Sequence, residues 1–226
     1  MSDRSILGAV AAGQQLPSGY GDGFDERVVE LPWVISQAPR GRALDAGSAL
    51  NHAWFLDALL PRVDELHIVT LAPEDRAFTE RGISYTYADL RALPYRDGHF
   101  DTIVSVSTLE HVGMDNSGYG ADAAVAADAD AAVADALAEL RRVLAVGGRM
   151  LITVPFGRAE THGWLRQFDT AALGRLVDAA APARHTVTVY RASPRGWGPS
   201  EQDAAADARY GREQAEAVAL VRLEYE

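Results

Sequence analysis

The run Arg42-Ala43-Leu44-Asp45-Ala46-Gly47-Ser48-Ala49-Leu50-Asn51 sets an acid and a glycine at the end of a short apolar segment, just before a turn into a helical pattern. In an open α/β sheet, ligands bind outside the carboxyl ends of the strands, where backbone amides at a helix start can approach a nucleotide-like group. A second polar pair, Glu110 and His111, closes the run Ser105-Val106-Ser107-Thr108-Leu109-Glu110-His111 after another apolar segment. A histidine, with an unperturbed pKa of about 6.5, can take a proton from an oxygen or nitrogen at neutral pH. The alternative is that Glu110 and His111 cap and order the loop. Glu110, His111 and Asp115 also offer the donor types of a divalent-cation site, but no second cluster joins them and no metal is expected.

These residues must be positioned by the elements around them. Apolar bursts predict strands at 43–45, 66–71, 83–87, 102–106, 150–154, 186–190 and 217–223, and helical spacing predicts helices at 26–38, 52–60, 74–81, 135–144 and 170–180. Pro32 is expected near the first turn of its helix, where proline is tolerated. Strands separated by helices imply crossover connections, hence a doubly wound, mainly parallel, seven-stranded α/β sheet. The Pro/Gly/Asp-rich stretch 193–207 joins the last two strands as a loop, which implies an antiparallel pair at the sheet edge. Residues 1–22, rich in Gly, Ser and Gln, read as a mobile arm, and 23–226 as one domain. The alanine-dominated segment 121–138, with its regular aspartates, reads as a solvent-facing helix extension; an acidic partner-binding surface is the other reading.

At 226 residues and a formal charge of −11, the chain is long enough for a substantial core and disfavours a phosphate-backbone partner, whose affinity comes from Lys and Arg. Zero cysteines exclude disulfides, thiolate metal sites and cysteine nucleophiles. The weak apolar run 6–12 falls short of a signal-peptide core, and no stretch approaches the roughly 20 apolar residues of a membrane span. A cytoplasmic protein with a small-molecule partner and no nucleic-acid or membrane partner is expected, as monomer or homodimer. The Ala- and Arg-heavy composition points to a bacterial source.

In this order, three stretches resemble the class I S-adenosylmethionine-dependent methyltransferases over roughly residues 40–157: Leu44-Asp45-Ala46-Gly47, Tyr87-Ala88-Asp89-Leu90 through Leu93-Pro94-Tyr95, and Glu139-Leu140-Arg141-Arg142-Val143-Leu144 with Gly147-Gly148. The resemblance implies the Rossmann-like methyltransferase fold with S-adenosylmethionine as cofactor. It makes Asp45 a holder of the methionine moiety, Gly47 and Ser48 the turn passing close to the cofactor, Asp89 the acceptor for the adenine amino group, and Leu90 a backbone contact to the ring. Thr70, Leu71 and Ser105 complete the cofactor-binding set. Where the family has further glycines this chain has Ser48, Ala49 and Asn51, of which Asn tolerates left-handed geometry. Where the second strand of the family ends in a ribose-binding acid, Thr70 stands, with Glu74 or Asp75 as substitutes a turn later.

Leu109-Glu110-His111 is similar to a segment of small-molecule members, which makes His111 and Glu110 the catalytic candidates. His162 to Asp169 is a candidate acceptor wall, with Arg158 or Arg166 pairing an anionic substrate, and Tyr20 and Trp33 could close over the cofactor. The implied reaction is transfer of a methyl group from S-adenosylmethionine to an oxygen or nitrogen of a small polar metabolite. A degenerate fold serving as a non-catalytic binding or scaffold subunit is the alternative. A nicotinamide oxidoreductase would need G-x-G-x-x-G, of which only Gly47 is present.

Overall fold

The computed structural model describes residues 3–120, 125–211 and 214–226. Five strands, β1 (Arg42–Ala46), β2 (Glu65–Thr70), β3 (Ser84–Tyr87), β4 (Phe100–Val106) and β5 (Leu144–Pro155), pair in parallel. Three more, β8 (Arg184–Ser193), β9 (Gly196–Ser200) and β10 (Ala217–Glu224), extend the sheet through antiparallel pairings. The order is β3-β2-β1-β4-β5-β10-β8-β9, with a separate hairpin of β6 (Glu160–Thr161) and β7 (Arg166–Gln167). The doubly wound, mainly parallel sheet with an antiparallel edge is the one the sequence implies, but it has eight strands where seven are expected. The eighth, β9, lies inside the stretch read as a loop. Its Pro199 sits opposite Tyr190 on the outermost strand, the one place in a sheet where a missing N–H is tolerated.

Both faces are covered. Helices α1 (Arg4–Ala11), α2 (Arg27–Ser36) and α3 (Ala53–Leu59) bury Val10, Val29, Trp33, Val34, Phe55 and Leu56 against one face. Helices α4 (Ala129–Val143) and α5 (Thr170–Ala180) bury Val133, Leu137, Leu140, Leu173 and Leu176 against the other. Strand alternation sorts β1 accordingly: Leu44 and Ala46 join the second core and Ala43 the first. Residues 3–22, read as an arm, carry α1, with Val10 and Leu16 buried and Tyr20 bridged to Gly196.

Local chemistry explains the shifted boundaries. Asp128 caps α4, its side chain accepting from the amides of Asp130 and Ala131, so the helix starts six residues before the expected 135. Of the alanine-rich segment, 121–124 fall outside the described residues, and Ala132, Val133, Ala136 and Leu137 face the core instead of solvent. The helix expected at 74–81 is a single 3₁₀ turn, Thr79–Arg81, because Pro73 and the tertiary hydrogen bonds of Glu74 hold the preceding residues extended. Pro32 lies in the interior of α2, not its first turn. It leaves the Val28 carbonyl without its helical donor, and the Tyr20 hydroxyl supplies one at 2.7 Å. Among the described residues no helix is long and apolar enough to cross a membrane.

Candidate active site

The chain winds outward from β1 through β2 to β3, then returns to place β4 on the other side of β1. At this switch point, beyond the carboxyl ends of the strands, lies a cavity of about 320 Å³. Four of the five parallel strand-ends contribute: Gly47 and Ser48 after β1, Thr70, Leu71 and Glu74 at and after the end of β2, Asp89 and Leu90 after β3, Ser107 and Thr108 after β4. His111, Asn116 and Tyr119 add a further wall, and Arg27 reaches it from the start of α2.

On the β1–β3 side, Asp45 is fully buried behind the wall. Its Oδ2 accepts from the Leu50 amide at 2.9 Å, while Oδ1 has no partner among the described residues. Burial pushes its pKa up to about 7. Gly47 has a φ of +121°, and a Cβ there would overlap the Thr108 side chain. The glycine is therefore demanded by the approach of the β4 loop, a reason the sequence reading did not contain. Ser48 takes a left-handed φ of +62°, the conformation a glycine adopts freely.

The departures from the family pattern belong together. Ser48 Oγ and Asn51 Nδ2, both in the turn that departs from the family's glycine pattern, donate to the two carboxylate oxygens of Glu74. Asn51 is itself held by the Tyr85 hydroxyl at 2.8 Å and bonds the Arg76 carbonyl at 2.9 Å. The altered turn thus fastens an acid from the β2 loop onto the cavity wall, four residues beyond Thr70. Asp89 also lines the wall, with its carboxylate gripped by Arg91 through Nη2 at 2.6 Å and Nε at 3.0 Å, which holds its pKa below the ordinary carboxylate range. The Arg91 amide also donates to Oδ1 at 2.9 Å, and three donors leave about one of the roughly four acceptor positions of a carboxylate. Ser105 does not reach the cavity: it is wholly buried two residues upstream, inside the sheet, and Ser107 is the serine on the wall.

On the β4 side, His111 lines the cavity and Nδ1 lies 2.9 Å from the Trp164 carbonyl. A carbonyl only accepts, so Nδ1 carries hydrogen and Nε2 keeps its lone pair in the neutral ring. The ring stacks on Trp164 at 5.2 Å and meets the edge of Tyr119 at 5.4 Å, and burial lowers its pKa. Glu110 stands behind the wall. It is 3% exposed, its Oε1 is 3.9 Å from His111 Nε2, Oε2 has no partner among the described residues, and burial raises its pKa well above the usual carboxylate value. That separation is too long for a hydrogen bond, so Glu110 is a neighbour of the histidine and not its partner.

Sequence reasoning missed Arg27 and the residues that seat it. Arg27 Nη1 pairs with Glu30 Oε2 at 2.5 Å, and the wholly buried Glu30 also accepts from Ser107 Oγ at 2.6 Å and Thr153 Oγ1 at 2.5 Å. The one sequence signal was the i, i+3 charge pair inside an otherwise apolar helix. Of the residues expected at this wall, Arg166 pairs with Asp130 and packs over Phe168, and Arg158 does not line the cavity. Trp33 is core, Tyr20 is spent on Val28, and Asp115 turns outward to the Ser117 amide. Among the described residues, no group of three or more His, Asp or Glu is arranged to hold a metal ion.

The fold sets a ligand-sized cavity at the switch point of a doubly wound sheet. Residues 45–152 match the methyltransferase domain family, the stretch over which the sequence resembles the class I S-adenosylmethionine-dependent methyltransferases. No curated protein matches the chain. Among solved structures, a possible histamine N-methyltransferase of Thermotoga maritima is 17% identical with a TM-score of 0.57, covering 87% of this chain and 88% of that one. The N-methyltransferase NodS of Bradyrhizobium japonicum, in complex with S-adenosylhomocysteine, is 17% identical with a TM-score of 0.51, covering 82% and 78%. The 1,6-didemethyltoxoflavin N1-methyltransferase of Burkholderia thailandensis is 16% identical with a TM-score of 0.54, covering 98% and 88%. At these identities the likeness is one of fold. The walls fit S-adenosylmethionine, the cofactor the sequence resemblance implies: the carboxylates of Glu74 and Asp89 offer acceptors for its hydroxyl and adenine donors, and behind them Asp45 keeps a buried oxygen without a partner among the described residues.

Proposed function

We propose that this chain is an enzyme that moves the methyl group of S-adenosylmethionine to an oxygen or nitrogen of a small polar metabolite. The observation that carries the reading is the His111 tautomer: with Nδ1–H given to Trp164, the remaining nitrogen of a cavity-lining ring is free to take a proton. When bound, the cofactor supplies an electrophilic methyl on a sulfonium. The protein's share is alignment and exclusion of water, with His111 as the base that removes the acceptor's proton. Asp89 serves the adenine amino group and Asp45 the methionine end. Glu74, held by Ser48 and Asn51, serves the ribose in place of the acid that Thr70 displaces. Thr70 can give at most one such bond. Glu110 stands behind the histidine, where burial favours its protonated form.

One observation favours a non-catalytic binding role: Arg91 takes both oxygens of Asp89. Titrating the purified chain with S-adenosylmethionine, then screening acceptors with isotopically labelled methyl donor, separates the two. Absence of cofactor binding would sink the enzyme reading.

A further inference from the structure

Among the described residues, and away from Glu74 and Asp89, the cavity wall presents one formal charge that is not locked to another wall residue, and it is positive. The charged residues on the wall are Arg27, Glu74, Asp89 and Arg91, and the last is locked to Asp89. Glu26 and Glu110, though close in the fold, are not on the wall. The carboxylate of Glu30 is saturated by Arg27, Ser107 and Thr153.

Arg27 is seated as a recognition group is. Its partner Glu30 is anchored to hydroxyls at the ends of two different strands, so one face of the guanidinium is fixed in place. Only Nη1 is engaged, and the other side-chain N–H groups of Arg27 form no hydrogen bond with the described residues. The planar fork of a guanidinium matches a carboxylate with two parallel hydrogen bonds, and a preorganised fork loses little entropy in doing so. Tyr119 and His111 present aromatic rings on the same cavity.

We propose that Arg27 docks a carboxylate of the methyl acceptor, and that the acceptor is a small, flat carboxylic acid lying against Tyr119 and His111. An oxygen paired with a guanidinium is a poor nucleophile, so the methylated atom is another oxygen or nitrogen of the same molecule. This inference rests on the methyl-transfer reading for the word acceptor, but the docking itself is testable without turnover.

The probe is benzoate, compared with its neutral isostere benzamide, titrated calorimetrically into the full chain with and without S-adenosylmethionine. Benzoate is expected to bind saturably and benzamide at least about tenfold more weakly, the scale of a lost charge-assisted pair. Arg27→Gln should reduce benzoate affinity by a similar factor and leave cofactor affinity unchanged. Arg27→Lys keeps Glu30 paired, guards against a misfolded glutamine variant, and should still lose several-fold because the fork is gone. Failure of benzoate to bind, equal binding of benzamide, or parental benzoate affinity in a folded Arg27→Lys variant would each overturn the proposal. Benzoate binding that depends on Arg27 in a chain that does not bind S-adenosylmethionine would uphold the docking site and remove the methyl-transfer reading alone.

Discussion

The carbonyl of Trp164 accepts from Nδ1 of His111 at 2.9 Å, so a loop beyond β5 decides which nitrogen of a β4-loop histidine is free. His111→Ala is expected to lower turnover by about 10²–10⁴, the range for positioned proton transfer, with S-adenosylmethionine affinity unchanged. Burial lowers the histidine pKa. Only neutral imidazole accepts a proton, so the rate should rise with pH through a value below that of free histidine, and activity should persist into mild acid. A pH–rate profile checks this; loss of cofactor affinity in the variant would move His111 into the cofactor pocket.

Glu74 and Thr70 compete for one role, and Glu74 has the better claim because Ser48 and Asn51 hold it in place. Glu74→Ala should weaken S-adenosylmethionine binding by roughly 1.5–3 kcal/mol, the worth of a hydrogen bond to a charged group, and Thr70→Ala by much less. Calorimetry on the two variants ranks them. The reverse order would return the ribose to Thr70.

Gly47 is required by Thr108, whose side chain occupies the space of any added Cβ, and by its positive φ. Gly47→Ala should destabilise the protein by several kcal/mol, combining backbone strain of about 1–3 kcal/mol with the overlap. Paired with Thr108→Gly, part of that loss should be recovered, since contacting sites are not additive. Denaturant titration of the cycle measures the coupling; additive losses would refute the packing argument.

Stability of the ligand-free protein should fall as pH rises from about 4 to about 7. Asp45 and Glu26 are both pushed up to about 7, by burial and, for Glu26, also by Glu30. A carboxyl whose folded pKa is raised binds its proton more tightly when folded, so its stabilisation is complete below the unfolded value and lost as pH passes the folded one. Denaturation midpoints at pH 5 and 8 test the sign, and Asp45→Asn should flatten the difference.

What the sequence could show followed from how locally each feature is encoded. The parallel strands announced themselves because a strand buried on both faces is apolar throughout, as Ile103, Val104 and Val106 are. The family resemblance groups Gly47, Thr70, Leu71, Asp89 and Leu90, and the first loops of this sheet bring all five to one cavity wall. β9 was hidden by Gly196, Gly198 and Pro199, residues that read as a turn and become strand only through pairing with β8. Arg27 and Glu30 were hidden for a different reason. Their meaning depends on Ser107 and Thr153, 77 and 123 residues away in sequence, and no local pattern records that meeting.

The seat of Arg27 has a consequence for the order in which the protein is made. The Ala215 amide donates to Glu26 Oε2 at 3.0 Å, Trp197 Nε1 to the Phe24 carbonyl at 3.0 Å and the Trp197 amide to the Tyr20 carbonyl at 2.8 Å. The wall for the methyl donor needs only residues that leave the ribosome early, between β1 and the loop after β4. The arginine is synthesised before any of them, yet it must wait for residues 197–215 to be fixed, across a loop whose closure costs chain entropy. The part of the cavity wall that Arg27 supplies thus depends on contacts made by the last stretch of chain to be synthesised.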